Sequence, residues 1–234
     1  MSCREVFRVF VIGFLLIAPW GQAAPAQAQP QSSSSSKSKP TRNTASGADS
    51  RLDPGTVSNR IYRNAGFGFT CKIPAGWVLR TDQMNAHDEG AAKPGGGAAA
   101  ADIGKPGRVL LAAFSRPPQA RGEDVNASIL IAAESIASYP GLTDAAQYFG
   151  PVTEIAKTRG FDIDEEPYEF VVGTKKLVRG DFEKNVGTRV MRQSTLVMLA
   201  RGYVVSFTFI GGTDDEVEEL VQGLSFGVSA KPVK

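Results

Sequence analysis

The residues able to do chemistry are few and scattered. His87, Asp88 and Glu89 form the one cluster with a metal-like composition, an imidazole beside two carboxylates, and His87 is the sole histidine of the 234-residue chain. A zinc-like site needs three or four ligands on ordered supports. A single imidazole at the head of a Gly/Ala-rich tract does not supply them, so "HDE" is expected to be a solvated loop. Nucleophilic catalysis meets the same difficulty, because any Ser–His or Cys–His pair must draw on His87. Cys71 lies in the alternating stretch "FGFTCKI", with Phe67, Phe69 and Ile73 on its own face and Gly68, Thr70 and Lys72 on the other. That parity points the thiol inward, as a small buried hydrophobe rather than an exposed nucleophile.

Other motifs yield to plainer readings. "DIDEE" at 162–166 has carboxylates enough for calcium but lacks the central glycine and closing glutamate of an EF-hand loop. A charged turn before Pro167 is expected. "RGD" at 179–181 falls inside a predicted strand, where Arg179 and Asp181 share a polar face. Asn126-Ala127-Ser128 matches a glycosylation acceptor, which matters only in a glycosylating host. "GGGAAAADIGKPG" at 95–107 is glycine-rich without the Gly-Lys-Ser/Thr of a phosphate loop. No catalytic residue, no metal ligand and no cofactor-binding residue is therefore expected. The two side chains kept as candidate ligand or partner contacts are Trp77, delivered by the turn Pro74-Ala75-Gly76, and His87.

The elements that must carry these residues follow from periodicity. "RVLLAAF" at 108–114 and "ASILIAA" at 127–133 are apolar on nearly both faces, as strands covered on both sides are. The tract 143–159 reads as a helix, with Thr143 as N-cap, an apolar stripe from Ala145 to Ala156, a break at Pro151 and Gly160 as C-cap. "YEFVV", "KKLVRGDFEK", "TRVMRQSTLVMLA" and "YVVSFTFIG" read as strands, with tight hairpins at Gly173-Thr174 and Arg201-Gly202. A closing helix opens on a Thr213/Glu216 capping box and repeats Val217, Leu220, Val221 and Leu224. The expected class is α+β: a mostly antiparallel β-sheet flanked by helices.

The ends bear on location. Arg4 and Arg8, the apolar run Val9–Ala18 and Ala26-Gln27-Ala28 have the order of a Sec-type signal peptide over residues 1–28. The run is about half the roughly twenty residues needed to span a bilayer, so no stable membrane span is expected after cleavage. The expected location is periplasmic or secreted. Residues 29–56 read as a disordered Ser-rich linker, 57–228 as the folded domain with a flexible Gly/Ala-rich loop at 86–107, and 229–234 as a tail. Removing Arg4, Glu5 and Arg8 with the signal leaves 24 basic and 23 acidic side chains. That balance offers no electrostatic footprint for nucleic acid.

The order of these pieces resembles the PsbP-like family, which includes extrinsic subunits of the oxygen-evolving photosystem and the Mog-type Ran-binding proteins. The residues carrying the resemblance are Tyr62, Asn64 and Gly66–Phe69, then "IPAGW" at Ile73–Trp77, the helix 143–159, "STLVMLARGYVVSFTFIG" and "DEVEELVQGLSF". It implies an α/β/α sandwich. A photosystem II subunit would require a photosynthetic host, and the family's metal sites find no matching ligands here. Two functions are carried forward: an exported, non-catalytic accessory or binding module contacting an envelope protein or complex, and a small-ligand carrier or weak enzyme with a pocket between sheet and helix. In the fold expected, the aromatic opening stretch is a structural strand and turn, and Trp77 seals the core edge.

Overall fold

The computed structural model describes residues 52–91, 107–120 and 125–227. The expected signal peptide, nearly all of the linker, residues 92–106 of the Gly/Ala-rich loop and the tail lie outside them. One compact unit carries all the elements below. A second, Ile12–Leu52, lies outside the described residues except for Leu52.

In chain order the elements are β1 (Thr56–Ser58), β2 (Ile61–Asn64), β3 (Phe69–Lys72), β4 (Val78–Leu79), α1 (Thr81–Ala91), β5 (Arg108–Phe114) and β6 (Ser128–Ser135). They continue with α2 (Phe149–Thr158), β7 (Asp162–Val172), β8 (Lys175–Val186), β9 (Arg189–Ala200), β10 (Tyr203–Gly211), α3 (Asp214–Gln222) and β11 (Leu224–Phe226). The strands make a four-stranded sheet, β1-β2-β3-β11, and a seven-stranded sheet, β4-β5-β6-β10-β9-β8-β7. Every pairing is antiparallel. The class is α+β.

The small sheet grows from the stretch that carried the resemblance. β2 and β3 form a hairpin whose turn is closed by Gly68 at φ +73°, with its N–H donating to Asn64 O at 3.0 Å. Asn64 is fully buried. Its Nδ2 donates to Asp53 O at 2.8 Å and Tyr62 Oη at 3.2 Å, and its Oδ1 accepts from Phe67 N at 2.8 Å. Gly66 N–H donates to Asp53 Oδ2 at 2.7 Å, and a Cβ on Gly66 would sit 2.8 Å from that of Asp53. Tyr62, Asn64 and Gly66 are therefore tied to this turn by hydrogen bonding and space. Phe67, expected in the strand, belongs to the turn and meets Tyr203 edge-on at 5.9 Å.

The large sheet is packed on both faces. Phe207 of β10 meets Phe69 of the small sheet edge-on at 4.9 Å and Phe226 of β11 at 6.0 Å. Val217, Leu220 and Val221 of α3 are buried as well. Neighbours along β10 point the other way, so Val204 joins Val197 and Phe182 beneath Tyr148, Phe149 and Ala156 at α2. Gly180 lets that helix approach, since a Cβ there would come within 2.5 Å of the Phe149 ring.

Several expectations need correction. The carboxylate run 162–166 is the first half of β7, not a turn. Charges and Pro167 suit this outermost strand, where one set of N–H groups has no ladder to join. Residues 86–91, expected in the loop, complete α1, so the backbone of His87 is helical. α2 is continuous past Gly150. Pro151 falls in its first turn, where no intrahelical N–H bond is needed, and a 3-10 turn at Ala146–Tyr148 precedes it. Thr143 is not a cap: its N–H donates to Gln147 Oε1 at 2.9 Å, while Asp144 Oδ1 accepts from Ala146 N at 2.7 Å. α3 ends at Gln222, and Leu224 lies on β11, paired with Cys71.

α1 covers an edge. β4 pairs only two residues of β5, Phe114 and Ala113. Beyond them Arg80 N donates to Ala112 O at 2.9 Å and Thr81 Oγ1 accepts from Ala112 N at 3.0 Å. Asn85 then exchanges both amide bonds with Val109, at 2.9 and 3.0 Å, as a neighbouring strand would.

Candidate functional site

The densest polar cluster lies where β7, β8 and β9 meet the start of α3. Residues two apart on a strand share a face, so Arg179 and Asp181 of β8 stand side by side. Arg179 is 7% exposed. Its Nε lies 3.0 Å from both Asp181 oxygens, its Nη2 lies 2.5 Å from Glu218 Oε1, and its guanidinium stands 5.0 Å from the Phe170 ring centre. Burial opposes its charge, but the bonds to Glu218 and Asp181 outweigh that and hold its pKa above the usual arginine value. Tyr168 O–H donates to Asp181 Oδ2 at 3.2 Å. Burial, then the Asp181 charge, push that phenol up to about 12.

Arg192 sits opposite Glu183 in the β8–β9 register. Its Nη1 is 3.1 Å from Glu183 Oε2 and 3.5 Å from Asp164 Oδ2, and its Nε is 3.0 Å from Asp214 Oδ1. Around the two arginines opens a cleft of about 240 Å³, whose wall carries Asp164, Glu165, Asp181, Asp214 and Glu218. Five carboxylates against two guanidiniums make it acidic. Among the described residues no group of three or more His, Cys, Asp or Glu is placed to hold a metal ion.

A second opening, of about 480 Å³, runs between β1, the β4–α1 junction and the start of β5. A third polar feature is closed: Glu134 on β6 is buried and accepts from Tyr148 O–H at 2.6 Å and from Tyr139 O–H. Burial raises both phenols, and Glu134 adds to the effect. This clasp ties the segment leading into α2 to the sheet.

Trp77 is half-buried after the turn and lines neither cleft. The side chain of His87 lies outside the described residues. Cys71 is wholly buried, and burial pushes its thiol up to about 12. Arg179 of "RGD" is buried in its ion pairs, as a strand position allows and a loop tip would not. The Asn126 side chain is engaged by Ser115 Oγ at 2.9 Å and Arg116 N at 3.2 Å, and donates to Arg116 O at 3.1 Å.

No protein-family model and no curated sequence matches the chain. Solved structures do resemble it. PsbP (CyanoP) from Synechocystis is 14% identical, over 79% of this chain and 99% of that one, with a TM-score of 0.39. The Saccharomyces cerevisiae Ran-binding protein Mog1p is 12% identical over 73% and 96%, with a TM-score of 0.40. LpqN of Mycobacterium tuberculosis, involved in cell envelope biogenesis, is 14% identical over 75% and 86%, with a TM-score of 0.37. The first two are of the kinds named by the sequence resemblance. The likeness is one of fold.

The sequence reading did not single out Arg192, Asp214 or Glu218 as site residues, and it took Asp164 only as part of a charged turn. A signal was present: Arg179, Asp181 and Glu183 alternate along one strand face, and Asp214, Asp215 and Glu216 crowd the first turn of α3. What brings them together is sheet register, which spacing alone does not supply.

Proposed function

We propose that the protein is an exported, non-catalytic accessory module that works by contacting a cell-envelope protein, with the acidic cleft beside α3 as its contact surface. The observation that carries the reading is the charge arrangement of that cleft. Its arginines are already neutralised by Asp181, Glu218, Glu183 and Asp214, which leaves Glu165, and Asp164 at the longer distance of 3.5 Å from Arg192, to face a cationic partner. Two strongly paired arginines keep the carboxylates in place, which lowers the ordering cost when a basic side chain arrives. The sequence supports the location through its basic start, short apolar run and Ala26-Gln27-Ala28. A buried, protonated Cys71 and a carboxylate set engaged in ion pairs agree with a binding rather than a reactive role.

The test is capture from the native envelope by the full chain and by an Asp164→Lys/Asp214→Lys variant, with unfolding curves as a fold control. The expected result is one envelope protein held by the parent chain, released by added salt and absent from the variant. Equal capture by both chains would remove the cleft from the reading. Turnover in a broad substrate screen would overturn its non-catalytic part.

A further inference from the structure

The larger opening has a chemistry of its own. Its floor is β5, where Val109 and Leu110 are buried, and its rims are β1 and the β4–α1 junction. At about 480 Å³ it lies within the range of small-molecule sites. Val57 on one rim is 42% exposed and Leu79 on the other 45%, two of the few large apolar side chains left open to water among the described residues. The charged groups are Arg80, Arg108 and Asp82. Arg80 Nη1 donates to Gln83 Oε1 at 3.0 Å, but its Nε is buried with no hydrogen-bond partner among the described residues. Arg108 is exposed and makes no ion pair among them. In the acidic cleft every guanidinium is matched by carboxylates; here two guanidiniums face one carboxylate that pairs with neither.

We propose that this groove binds a small amphipathic carboxylate, with its head on Arg80 and Arg108 and its apolar body across Val57 and Leu79. A guanidinium presents a planar fork that matches a carboxylate, and Arg108 on the rim is open to an incoming anion. Among the described residues the wall carries a single net positive charge, which suits a monoanion better than a phosphate dianion. Covering Val57 and Leu79 supplies the apolar contribution that a bare anion such as acetate would forgo. The inference is independent of the acidic cleft, with which the groove shares no lining residue.

Titration calorimetry on the full chain tests it, with decanoate below its micelle-forming concentration, decanol and acetate as probes. Arg80→Gln and Arg108→Gln are compared with the parent chain, after thermal unfolding has shown that they fold. The expected result is saturable one-to-one binding of decanoate, weakened about tenfold by either substitution as one charge-assisted contact is lost. Decanol and acetate should each bind at least about tenfold more weakly than decanoate. The glutamine variants also separate the groove from uptake by the apolar run Val9–Ala18, which they leave untouched. Absence of saturable binding, unchanged affinity in both variants, or decanol binding as well as decanoate would each overturn the proposal.

Discussion

Replacing Asn64 by alanine should destabilise the protein far more than a turn asparagine usually does. The side chain is fully buried and makes three hydrogen bonds: to Asp53 O, to Tyr62 Oη and from Phe67 N. Tyr62 Oη still donates to Pro54 O at 2.9 Å after the change, so that hydroxyl keeps a partner. Phe67 N–H and Asp53 C=O lose theirs. Two partly buried groups left unmatched, at roughly 1–3 kcal/mol each at full burial, and one further bond lost at about 1 kcal/mol give an expected loss near 3 kcal/mol. Urea unfolding followed by far-ultraviolet circular dichroism measures it, as a lowered midpoint at unchanged slope. Asn64→Asp is the informative companion. It keeps the acceptor for Phe67 N–H but loses both donors and sets a carboxylate against Asp53 O, so at neutral pH it should be no better than alanine. A loss below about 0.5 kcal/mol for Asn64→Ala would refute the reasoning, because exposed-surface changes are of that size. The "Y-x-N" stretch would then need a role other than closing this turn.

Two further outcomes follow from burial. Leu220→Ala should cost about 2–5 kcal/mol in denaturant unfolding, since Leu220 is 5% exposed on the inner face of α3; a change near zero would mean that α3 does not hold the sheet. Cys71 should make stability fall with alkali. Its pKa is raised by burial from 9.0 to about 12, so the unfolded chain ionises first, and the stabilisation present below pH 9.0 is lost as pH rises towards 12. The contribution approaches about 1.4 kcal/mol per pH unit. Cys71→Ala should flatten the stability–pH curve above pH 9.0 relative to the parent, and an unchanged slope would show that the thiol is not excluded from water.

Much of the fold was legible because it rests on local patterns. Alternation placed Phe69, Cys71 and Ile73 inward, and all three are buried. The apolar runs of β5 and β6 lie inside the large sheet, and the Arg201-Gly202 hairpin turns with both residues at positive φ, 53° and 82°. What was not legible depends on partners distant in sequence. α1 has no apolar stripe to announce it; it is held to β5 by Thr81 and Asn85, polar side chains that act as a substitute strand. Nor does periodicity distinguish the charged half of β7 from a turn, because an edge strand sheds the apolar alternation that marks an inner one. The small sheet is completed by β11, three residues that pair with β3 across most of the chain.

The same division explains why the motif-like residues and the surface residues parted company. Asn64 and Gly66, which carried the sequence resemblance, are tied into a polar knot with Asp53, and a knot of that kind does its work inside the molecule. A binding surface has the opposite signature. Arg192 reaches Asp164, Glu183 and Asp214, which lie 28, 9 and 22 positions away along the chain. Arg80 and Arg108 reach one groove only because β5 is laid against the end of β4. No local pattern records such meetings, since each residue alone is an ordinary surface charge. Their meaning resides in which charges find partners and which do not: the acidic cleft is defined by arginines already matched, the groove by arginines left unmatched. Substituting Asp164 and Asp214 should therefore disturb capture of a cationic protein and leave carboxylate binding intact, while Arg108→Gln should do the reverse. If the aspartate pair and Arg108→Gln each disturbed both properties, the two surfaces would not be separate sites, and the division of charge between them would carry no functional meaning.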